Sequence, residues 1–473
     1  MRSLISRRAL AITGVALISC SRSSPPPAAP PTAAEAPTSR RAPAEQAPPA
    51  ADTAAPPVDP PPAAPPAPAA LTGQAATGDW KTDAPGVRRK LTLEELPAPY
   101  ATASADNGAN IVPRPAGALP KVPDGFVVDL LTAGVTKPRM VRTAPNGDVF
   151  VVESAAGRVK VVRGADRDAG PERIQVFATG LRQPFGIGFY PPAAPRWVYV
   201  ANTDSVVRFP YTDGDLTARG GAEVVVDDIS GGGRLRGGGH WTRDLVFSSD
   251  GSKMYVSVGS RSNVSDDAAE ARRARIFEYT PDGKHERVYA TGIRNPVGLA
   301  VHPVTHELWT SVNERDELGD HLVPDYITHV RDGGFYGWPW FYLGPHPDPR
   351  HQGKHAELRD QAIVPDVLLQ SHSASLGMMF YTADQFPPEY RQQAFAAEHG
   401  SWNRARRTGY KVIWAPLRDG VATGEYVDFM TGLVTADGNV WGRPVAVAQT
   451  QRGALVVSDD AGNCLWRIRY VGH

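Results

Sequence analysis

The sequence predicts an all-β fold, a six-bladed β-propeller, and three observations support this prediction. One pattern recurs six times between residues 137 and 460: a short segment with Pro or Gly, a few apolar residues, a turn containing Gly, Pro or Asp, and an apolar strand. Several copies are followed by a third strand of alternating polarity, and sustained helical periodicity is almost absent. Such repeats are typical of a propeller, whereas a pair of β-sandwiches, the competing architecture, would not explain six copies of one motif.

The six copies define six predicted blades. They are KPRMVRTAPNGDVFVVES (137–154), RQPFGIGFYPPAAPRWVYVAN (182–202), HWTRDLVFSSDGSKMYVSVGS (240–260), RNPVGLAVHPVTHELWTSVNE (294–314), HSASLGMMFYTADQFPPEYRQQAFAAEHGS (372–401) and GRPVAVAQTQRGALVVSDD (442–460). A long insertion at 323–371 follows the fourth copy, so we expect functional loops on that side of the ring. The last copy lies close to the C-terminus, so ring closure should pair that end with a strand near 126–130.

The composition excludes a polyanion partner. The chain has 473 residues with 50 basic and 50 acidic side chains, and therefore has no net charge that would attract a nucleic acid. Its two cysteines, Cys20 and Cys464, lie near opposite ends, so an internal disulfide is not expected. We therefore expect an apolar core to stabilise the fold.

Residues 1–20 have the composition of an export signal. Arg2, Arg7 and Arg8 precede an apolar run that is too short to span a bilayer as a helix. The run ends in LISC, which resembles a bacterial lipobox and predicts lipidation of Cys20. This predicts an exported protein, periplasmic or at the cell surface, that is attached to the membrane only by its lipid. A plain cleaved signal with an incidental cysteine is the alternative, and a loose twin-arginine pattern leaves the export route open.

Three further regions follow the signal. Residues 21–75 are dominated by Pro and Ala, a composition that cannot bury a core and that predicts a disordered tether. Residues 76–119 form a predicted N-terminal extension. Residues 120–473 contain the repeats and form the predicted catalytic domain.

Positive charge is concentrated at the predicted blade entrances. The residues just before each innermost strand of a propeller lie at one mouth of the central channel. All of these residues except the amides Gln183 and Asn295 are cationic or imidazole side chains. The residues are Lys137, Arg139, Arg182, Gln183, His240, Arg294, Asn295, His372 and Arg443. Such a ring predicts an anionic ligand, either a multi-carboxylate or a phosphorylated molecule.

Oxygen-bearing side chains follow the second strands of the same repeats. They are Glu153, Asn202, Asn313, Glu314, Asp316, Glu398, Asp459 and Asp460. Hard oxygen ligands near an anionic ligand suit Ca²⁺. Any one of these residues alone is an ordinary turn or strand end, and the calcium hypothesis depends on their recurrence at equivalent positions.

His240 is the candidate general base. It follows a glycine-rich loop, GGGRLRGGGHW, where a backbone can approach a ligand closely. Histidine commonly removes a hydroxyl proton, although a histidine that supports Trp241 is the alternative. The sequence contains no HExxH, CxxCH, GxSxG or Walker pattern and no GxGxxG after a strand. Zinc peptidases, fused c-type haem proteins, α/β-hydrolases, P-loop enzymes and Rossmann dehydrogenases are therefore excluded.

A series of motifs resembles the sorbosone dehydrogenase family, whose relatives include soluble glucose and aldose sugar dehydrogenases that use pyrroloquinoline quinone (PQQ). The motifs are GGHWTRDL with SVGSRSNV, TGIRNPVGLA, NERDELGD, GGFYGWPW, HSASLG, HGSWNR, TGYKV, VWGRP and VSDDAGN, and together they cover roughly residues 120–470. The resemblance implies PQQ and Ca²⁺ as cofactors. It also implies oxidation of the anomeric or aldehyde carbon of a sugar by base-assisted hydride transfer to PQQ.

The resemblance also implies roles for individual residues near the reacting atoms. His240 matches the base that takes the sugar's hydroxyl proton, Arg294 matches an arginine against the quinone oxygens, and Asn295 matches an amide at the cofactor. In relatives, two consecutive backbone carbonyls bind Ca²⁺. Here these carbonyls would belong to Arg315 and Asp316, with Glu314 lining the cofactor site, although the NERD sequence departs from the Gly-Pro segment of the relatives.

Other positions match groups that hold the cofactor. Arg443 matches one of two arginines that grip its carboxylates, and Trp441 replaces the other. Asn403 replaces an assisting lysine, with Arg404 adjacent. Gln183 or Arg182 lies near a further cofactor contact, and the blade entrance at His372 adds another.

The resulting hypothesis is a PQQ-dependent sugar dehydrogenase of the sorbosone or aldose type. Because no CxxCH is present, electrons would pass to a separate acceptor, a cytochrome or a quinone. A calcium-dependent propeller lactonase and a non-catalytic binding propeller are the alternatives. The sequence does not identify the sugar, because the loops around Tyr336, Trp338 and 340–371 carry no readable specificity code.

Overall fold

The computed structural model describes residues 68–230 and 239–472. The predicted signal peptide, the predicted lipidation residue Cys20 and the predicted tether up to residue 67 lie outside the described residues. Within the two described ranges, no helix is both long and apolar enough to cross a membrane.

Six antiparallel sheets confirm the predicted six-bladed β-propeller. Each blade begins with a strand from one of the six repeats, and these six innermost strands contact one another in a closed ring. Blade 1 contains Val141–Thr143, Val149–Glu153, Arg158–Arg163 and Arg173–Ala178. Blade 2 contains Gly186–Tyr190, Trp197–Ala201, Val206–Pro210 and Glu223–Val226. Blade 3 contains Leu245–Phe247, Met254–Val258, Arg275–Tyr279 and Arg287–Thr291, with Gly334–Phe335 added in parallel.

The remaining blades follow the same order from the channel outward. Blade 4 contains Pro296–Val301, Leu308–Val312, Pro324–His329 and Val367–Ser371. Blade 5 contains Ser375–Phe380, Ala394–Glu398, Lys411–Ala415 and Glu425–Met430, with Arg88–Lys90 as a fifth strand. Blade 6 contains Pro444–Gln449, Leu455–Asp459, Cys464–Tyr470 and Phe126–Thr132.

The other elements are short. Two hairpins are Phe341–Tyr342 with His346–Pro347 and Leu417–Arg418 with Val421–Ala422. A single α-helical turn spans Gly73–Ala76, and 3₁₀ turns span Leu93–Glu95, Ser154–Ala156, Ala268–Glu270, Pro349–His351, Ala356–Gln361 and Pro388–Tyr390.

Blade 6 closes the ring as predicted. Its outermost strand comes from the start of the propeller, and Phe126 of that strand pairs with Tyr470 near the end of the chain. Phe126 also contacts the rings of Phe386 and Phe429 edge to face, with centroids 4.8 and 5.2 Å apart. Closure therefore stabilises the ring with both ladder hydrogen bonds and an aromatic cluster.

Glycines in the innermost strands allow the blades to approach closely. A Cβ on Gly298 would lie 2.4 Å from the carbonyl oxygen of Leu376, and one on Gly377 would lie 2.6 Å from Cβ of Ala446. A side chain at either position would push neighbouring blades apart. The recurring glycine of the repeats is thus a packing requirement of the ring.

Arg142 crosses the channel from the innermost strand of blade 1. One of its terminal nitrogens lies 2.9 Å from the Asp244 carboxylate and 3.0 Å from the carbonyl of Leu299. The same carboxylate accepts a 2.9 Å hydrogen bond from the Leu299 amide. Blades 1, 3 and 4 are therefore joined across the channel.

The N-terminal extension, predicted at 76–119, is attached to blade 5 by buried charges. Arg89 is fully buried and donates to Asp428 at 2.7 Å and to Asp83 at 2.9 Å. Lys411 of blade 5 contacts the same two carboxylates, at 2.9 Å for Asp83 and 2.7 Å for Asp428. Removing one member would leave an uncompensated buried charge, which typically costs about 3–5 kcal/mol.

Candidate active site

The candidate site lies on one face of the propeller, here called the site face. Innermost strands begin at this face and the second strands of the blades end there, as the pairs Pro296 with Val312, Ser375 with Glu398 and Pro444 with Asp459 show. The predicted entrances and exits of the blades therefore meet at the same face. Their side chains form two clusters.

The first group, here called the reactive cluster, is organised by Arg294. Its members are His240, Asn263, Arg294, Asp316 and His372. Arg294 is 4% exposed and donates to the Asn263 carbonyl at 3.1 Å, to Asn263 Oδ1 at 2.9 Å and to Asp316 Oδ2 at 3.0 Å. It also donates to the carbonyl of Glu314 at 2.6 Å. Backbone and side-chain acceptors thus fix the guanidinium in one orientation.

His240 has one committed and one available ring nitrogen. Its Nδ1 lies 2.9 Å from the carbonyl of Ser260, an acceptor, so the tautomer assigned to this ring carries its proton on Nδ1. Nε2 has no hydrogen-bond partner among the residues described. Burial, and then the charge of Arg294, lower the pKa of His240 to about 3. The available Nε2 is therefore unprotonated at neutral pH and can accept a proton.

The backbone of His240 is held by Arg273 of blade 3. This guanidinium donates to the carbonyl of His240 at 2.7 Å and to the carbonyl of Gly259 at 2.7 Å. A Cβ on Gly259 would lie 2.6 Å from Cβ of His240, so the glycine permits this close approach. The histidine thus has a fixed backbone as well as a fixed ring nitrogen.

Asp316 and His372 form a buried pair beside Arg294. Nδ1 of His372 lies 3.3 Å from Asp316 Oδ1, and Nε2 lies 3.0 Å from the carbonyl of Gly319. Burial alone would lower the pKa of His372, but Asp316 outweighs this effect and raises it. Burial alone would likewise raise the pKa of Asp316, but Arg294 and His372 hold it below its ordinary value. Since both nitrogens of His372 face acceptors, the charged imidazolium fits this position.

Two buried oxygens beside Arg294 lack protein partners in the described part of the chain. They are Oδ1 of Asn295 and Oε1 of Glu314. Burial raises the pKa of Glu314 to about 7, although Arg294 opposes this shift. Buried polar atoms of this kind are rare unless a ligand or water satisfies them. Both predicted cofactor-lining residues thus have unused hydrogen-bonding capacity.

Of the two backbone carbonyls predicted to bind a metal, that of Asp316 already has hydrogen-bond donors within the protein. The carbonyl of Asp316 accepts hydrogen bonds from Asn263 Nδ2 at 3.0 Å and from Arg315 Nη1 at 2.6 Å. The Arg315 guanidinium also pairs with Asp348. A metal ion at the Asp316 carbonyl would replace two N–H donors and lie against a guanidinium charge. These contacts arise from the NERD sequence, because it places the guanidinium of Arg315 beside the predicted pair of carbonyls.

The second group, here called the anchor cluster, lies between blades 1, 5 and 6. It contains Arg139, His399, Arg443 and Asp460. Asp460 accepts from Arg139 at 2.6 Å and lies 3.0 Å from His399 Nε2, while Arg443 Nη2 lies 2.8 Å from His399 Nδ1. Burial, followed by Arg443, lowers the pKa of His399 to about 4, so this ring is neutral at pH 7. Two guanidinium charges therefore face one carboxylate.

The anchor cluster has the properties of an anion site. Burial lowers the pKa of Arg139, and its Nε has no hydrogen-bond partner among the described residues. The guanidinium lies 5.5 Å from the ring centroid of Trp241, the neighbour of His240, which brings the two clusters side by side. Excess cationic charge and an unused donor here fit the carboxylates of a small multi-carboxylate such as PQQ, whereas the unused oxygens beside Arg294 would accept from an N–H or O–H group of a ligand.

Asn403 and Arg404, predicted to lie at the cofactor, contact the N-terminal extension. Asn403 is 2% exposed, donates to the Ala105 carbonyl at 2.6 Å and accepts from the Glu317 amide at 2.7 Å. The Arg404 guanidinium donates to the carbonyls of Thr77 and Gly78. Both side chains are directed to the N-terminal extension. These contacts were not expected from the sequence, because the segment that the two side chains bind is distant in sequence and leaves no local pattern.

The remaining predicted cofactor residues lie at blade entrances. Trp441 is 4% exposed and packs edge to face on Trp466, with centroids 6.1 Å apart, as part of the core of blade 6. Gln183 is half-buried with a left-handed backbone, φ 48°. The neighbouring Arg182 is directed outward and pairs with Asp204 at 3.1 Å. The sequence left Gln183 and Arg182 as alternatives for one cofactor contact, and the structure shows Arg182 in an ion pair at the surface.

Sequence reasoning missed Asn263 and His399 as site residues. Asn263 contacts Arg294 through its carbonyl and Oδ1, and Asp316 through Nδ2. Asn263 lies in a loop outside the repeat pattern, within the SVGSRSNV motif, and this motif was the one sequence signal that pointed to it. His399 belongs to HGSWNR, which also was quoted without a role. Arg139 and Asp460 were placed at the correct mouth but were given no specific function.

Several solved structures share this fold. The holo form of the PQQ domain of pyranose dehydrogenase from Coprinopsis cinerea superimposes with a TM-score of 0.63 at 22% identity, covering 76% of this chain and 98% of that one. A carbohydrate-active enzyme of family AA12 from Trichoderma reesei has a TM-score of 0.61 at 19% identity, covering 77% and 100%. The PQQ-bound aldose sugar dehydrogenase of Streptomyces coelicolor has a TM-score of 0.51 at 18% identity, covering 74% and 99%. These likenesses establish the fold.

Sequence relatives include an uncharacterised protein of Borreliella burgdorferi, 27% identical over 365 residues, which cover 74% of this chain and 90% of that protein. The PQQ-dependent pyranose dehydrogenase of Coprinopsis cinerea is 23% identical over 339 residues, but these cover only 44% of its length and 62% of this chain. An aldose sugar dehydrogenase of Escherichia coli is 28% identical over 180 residues, which cover 34% of this chain and 46% of that protein.

The family comparison agrees with these likenesses. The TrAA12-like family matches residues 120–326 and 340–470, which is more than half of the chain. The resemblance to PQQ-dependent soluble sugar dehydrogenases, predicted from the motifs, is therefore confirmed. Its relatives include a PQQ-dependent pyranose dehydrogenase and an aldose sugar dehydrogenase. The chain belongs to the TrAA12-like family.

Proposed function

We propose that this protein is a PQQ-dependent dehydrogenase that oxidises the anomeric or aldehyde carbon of a sugar of the aldose or sorbosone kind. The observation that carries the proposal is His240, whose Nδ1 is committed to Ser260 while Nε2 is unprotonated and available. It lies in the same cluster as the oriented guanidinium of Arg294. A fixed base beside a fixed cation suits removal of a hydroxyl proton while negative charge develops on a neighbouring group.

The two clusters would bind opposite ends of the cofactor. Arg139 and Arg443 would bind its carboxylates, because their combined charge exceeds that of Asp460. Asn295 would lie at the opposite, reacting edge, where Arg294 would act through its charge, because its guanidinium nitrogens already donate to protein acceptors. PQQ, when bound, would supply the acceptor for one hydride, that is, one hydrogen with its two electrons.

The proton and the electron pair released by the sugar each have an acceptor in the proposed reaction. His240 Nε2 accepts the hydroxyl proton, the carbon–hydrogen bond gives its hydrogen and electron pair to the bound acceptor, and a carbonyl forms on the sugar. The new imidazolium of His240 is compensated by Asp316, whose carboxylate already favours a positive charge on this ring. Arg294 stabilises negative charge on the acceptor side. No step is assigned to calcium, because the Asp316 carbonyl is already occupied by two donors.

The proposal extends to location and partner. The N-terminal sequence supports export and lipid attachment at Cys20, so the electrons would leave to a separate cytochrome or quinone outside the cytoplasm. Replacing Cys20 with Ser and following membrane fractionation tests this part. Release of the variant into the soluble fraction supports it, and an unchanged membrane fraction contradicts it.

Two alternative functions make different use of the site. A calcium-dependent lactonase would need carboxylates and amides around a metal on the channel axis and would have no need for the guanidinium groups of Arg294 and Arg443. A non-catalytic propeller would tolerate replacement of His240. The fixed tautomer of His240 and the cationic excess of the anchor cluster favour the dehydrogenase.

The test combines a binding and a rate measurement. Purified protein is titrated with PQQ by absorbance, and dye reduction is followed with a panel of aldoses and sorbosone. His240→Gln should bind PQQ and lose dye reduction, whereas His306→Gln, a matched change at an exposed histidine, should keep both. Failure of the wild-type protein to bind PQQ would overturn the proposal, and lactone hydrolysis by the same protein would establish the alternative.

A further inference from the structure

Residues 100–112 of the N-terminal extension, here called the strap, cross the loops that carry the candidate site. The family match begins at residue 120, so the strap is an addition to the shared propeller. We propose that the strap is a positioning element for the reactive cluster, an inference that rests on the proposed function. Its contacts are made in turn with the site-face loops of blades 4, 5 and 6.

The first contacts are with the blade 4 loop that carries Asp316. The amide of Tyr100 donates to the carbonyl of Leu318 at 2.8 Å, and Thr102 Oγ1 accepts from the amide of Asp320 at 2.8 Å. Between these two positions the strap packs closely on the loop, because a Cβ on Gly319 would lie 2.9 Å from Thr102 Oγ1. Two backbone groups of this loop are therefore satisfied by the strap rather than by the propeller.

The next contacts are with the blade 5 loop that follows His399. Asn107 Nδ2 donates to the Ala405 carbonyl at 2.9 Å, and Arg407 Nη1 donates to the carbonyl of Asn107 at 2.6 Å. Asn403 Nδ2 donates to the strap at the Ala105 carbonyl, at 2.6 Å. Arg407 is 7% exposed, so this junction is buried rather than a loose surface contact.

The last contacts are with the segment before the innermost strand of blade 6. The amide of Val112 donates to the carbonyl of Val440 at 2.9 Å, and the amide of Val440 donates to the carbonyl of Asn110 at 2.9 Å. Val440 is followed by Trp441 and, two residues later, by Arg443 of the anchor cluster. One continuous segment thus ties together three loops that belong to different blades.

A short chain of contacts leads from the strap to Arg294. Thr102 packs on Gly319, the Gly319 carbonyl lies 3.0 Å from His372 Nε2, and His372 Nδ1 lies 3.3 Å from Asp316. Asp316 in turn accepts from Arg294 at 3.0 Å. The strap therefore supports the acceptor that holds His372 in place, without itself touching the reacting groups.

Asn403 links the strap to the same loop by a second route. The oxygen of its side chain accepts from the amide of Glu317, next to Asp316, at 2.7 Å, while its nitrogen binds the strap. Loss of the strap would thus release the loop at Glu317, Leu318 and Asp320 together. We expect the positions of His372 and Asp316 to broaden, which lowers the rate of the chemical step more than the affinity for sugar.

Two variants and one control test this inference. Thr102→Val removes only the hydroxyl that accepts from Asp320, and a Gly/Ser replacement of 100–112 at equal length removes all side chains of the strap. Thr132→Val is the matched control, because its hydroxyl accepts a 2.9 Å hydrogen bond from Gly134 in the outermost strand of blade 6. Hydrogen–deuterium exchange of the protein without added PQQ is measured over 313–323. We expect exchange there to rise by up to about tenfold in Thr102→Val and further in the replacement, with no change in the control.

Rates of the PQQ-loaded protein separate positioning from mere stabilisation. We expect kcat of Thr102→Val to fall about fivefold while KM stays within about twofold, a split that indicates loss of an interaction made in the transition state. Unchanged exchange over 313–323 would overturn the inference, and so would raised exchange with unchanged kcat. Failure of the wild-type protein to bind PQQ would overturn the proposed function instead, and exchange would still decide whether the strap orders the loop. If the replacement does not fold, Thr102→Val alone decides.

Discussion

The reactive cluster and the anchor cluster contain the same kinds of side chain but leave opposite groups unused. In and beside the reactive cluster, all three guanidinium nitrogens of Arg294 have acceptors, and the atoms without partners among the described residues are electron-pair donors: His240 Nε2, Asn295 Oδ1 and Glu314 Oε1. In the anchor cluster the unused atom is an N–H donor, Arg139 Nε. One side of the channel mouth can therefore accept a proton and the other can bind a carboxylate. A ligand with matching groups at its two ends would bind there in one orientation.

The two histidines show why a shifted pKa alone does not identify a base. Burial is the main cause of the low pKa of both His240 and His399, about 3 and about 4. Yet Nδ1 of His399 faces Arg443 and Nε2 faces Asp460, so both nitrogens are engaged. Among the described residues, His240 has a partner for Nδ1 only. Hydrogen-bond geometry therefore distinguishes a candidate base from a bridging residue.

The largest expected effect breaks the reactive cluster at its base. His240→Gln keeps a polar side chain of similar length but removes the basic nitrogen, so turnover of sugar should fall by roughly 10²–10⁴-fold. Affinity for PQQ should stay within about threefold, because the carboxylate contacts lie in the other cluster. Steady-state dye reduction and PQQ titration measure the two effects. A comparable loss of rate in His399→Gln would remove the distinction between the histidines.

The next effect breaks the anchor cluster. Arg443→Gln removes a charged donor, and a lost charge-assisted hydrogen bond costs about 1.5–3 kcal/mol, which corresponds to roughly 10- to 150-fold in affinity. We therefore expect weaker PQQ binding, with kcat at saturating PQQ close to the wild-type value. Arg182→Gln is the matched control, since this guanidinium is exposed and pairs with Asp204 at the surface. Equal loss of PQQ affinity in both variants would contradict the assignment.

A smaller effect concerns pH. The pKa of His240 is lowered from 6.5 to about 3, first by burial and then by Arg294, so the neutral base persists down to about pH 4. The profile of kcat/KM should therefore show no fall with a midpoint near 6.5. The folded state also binds fewer protons than the unfolded state between these values, so stability contributed by the neutral ring is present above pH 6.5 and is lost as pH falls toward 3. Because Glu314 has a pKa of about 7, an acid limb centred near pH 6.5 that persists in Glu314→Gln would contradict the low pKa of His240.

The sequence predicted the propeller and the mouth of the channel more fully than the partners within the site. Alternating strands and recurring turns reveal blades because both patterns are local, and the entrance and exit positions of Arg294 and Asp316 follow from the same repeat. The tie between Asn403 and the strap spans 298 residues and has no local signature. Asn263 was missed for a related reason, since its loop lies outside the repeat. Contacts between residues distant in sequence therefore decide which predicted residues bind the chain itself and which are left for a ligand. Sequence periodicity does not reveal such contacts.

The smallest expected effect concerns metal removal, and it tests whether the reactive cluster uses a protein cation in place of calcium. The Asp316 carbonyl has two N–H donors, at 3.0 Å from Asn263 and 2.6 Å from Arg315, and calcium would need that oxygen as a ligand. Treatment with EDTA should therefore change PQQ affinity by less than about twofold, because the guanidinium groups of the anchor cluster would bind the carboxylates of the cofactor. PQQ titration before and after chelation, with calcium added back, measures this. A large loss of affinity that calcium restores would mean that Arg315 and Asn263 release the carbonyl when the cofactor binds, and the reactive cluster would then be a metal site after all.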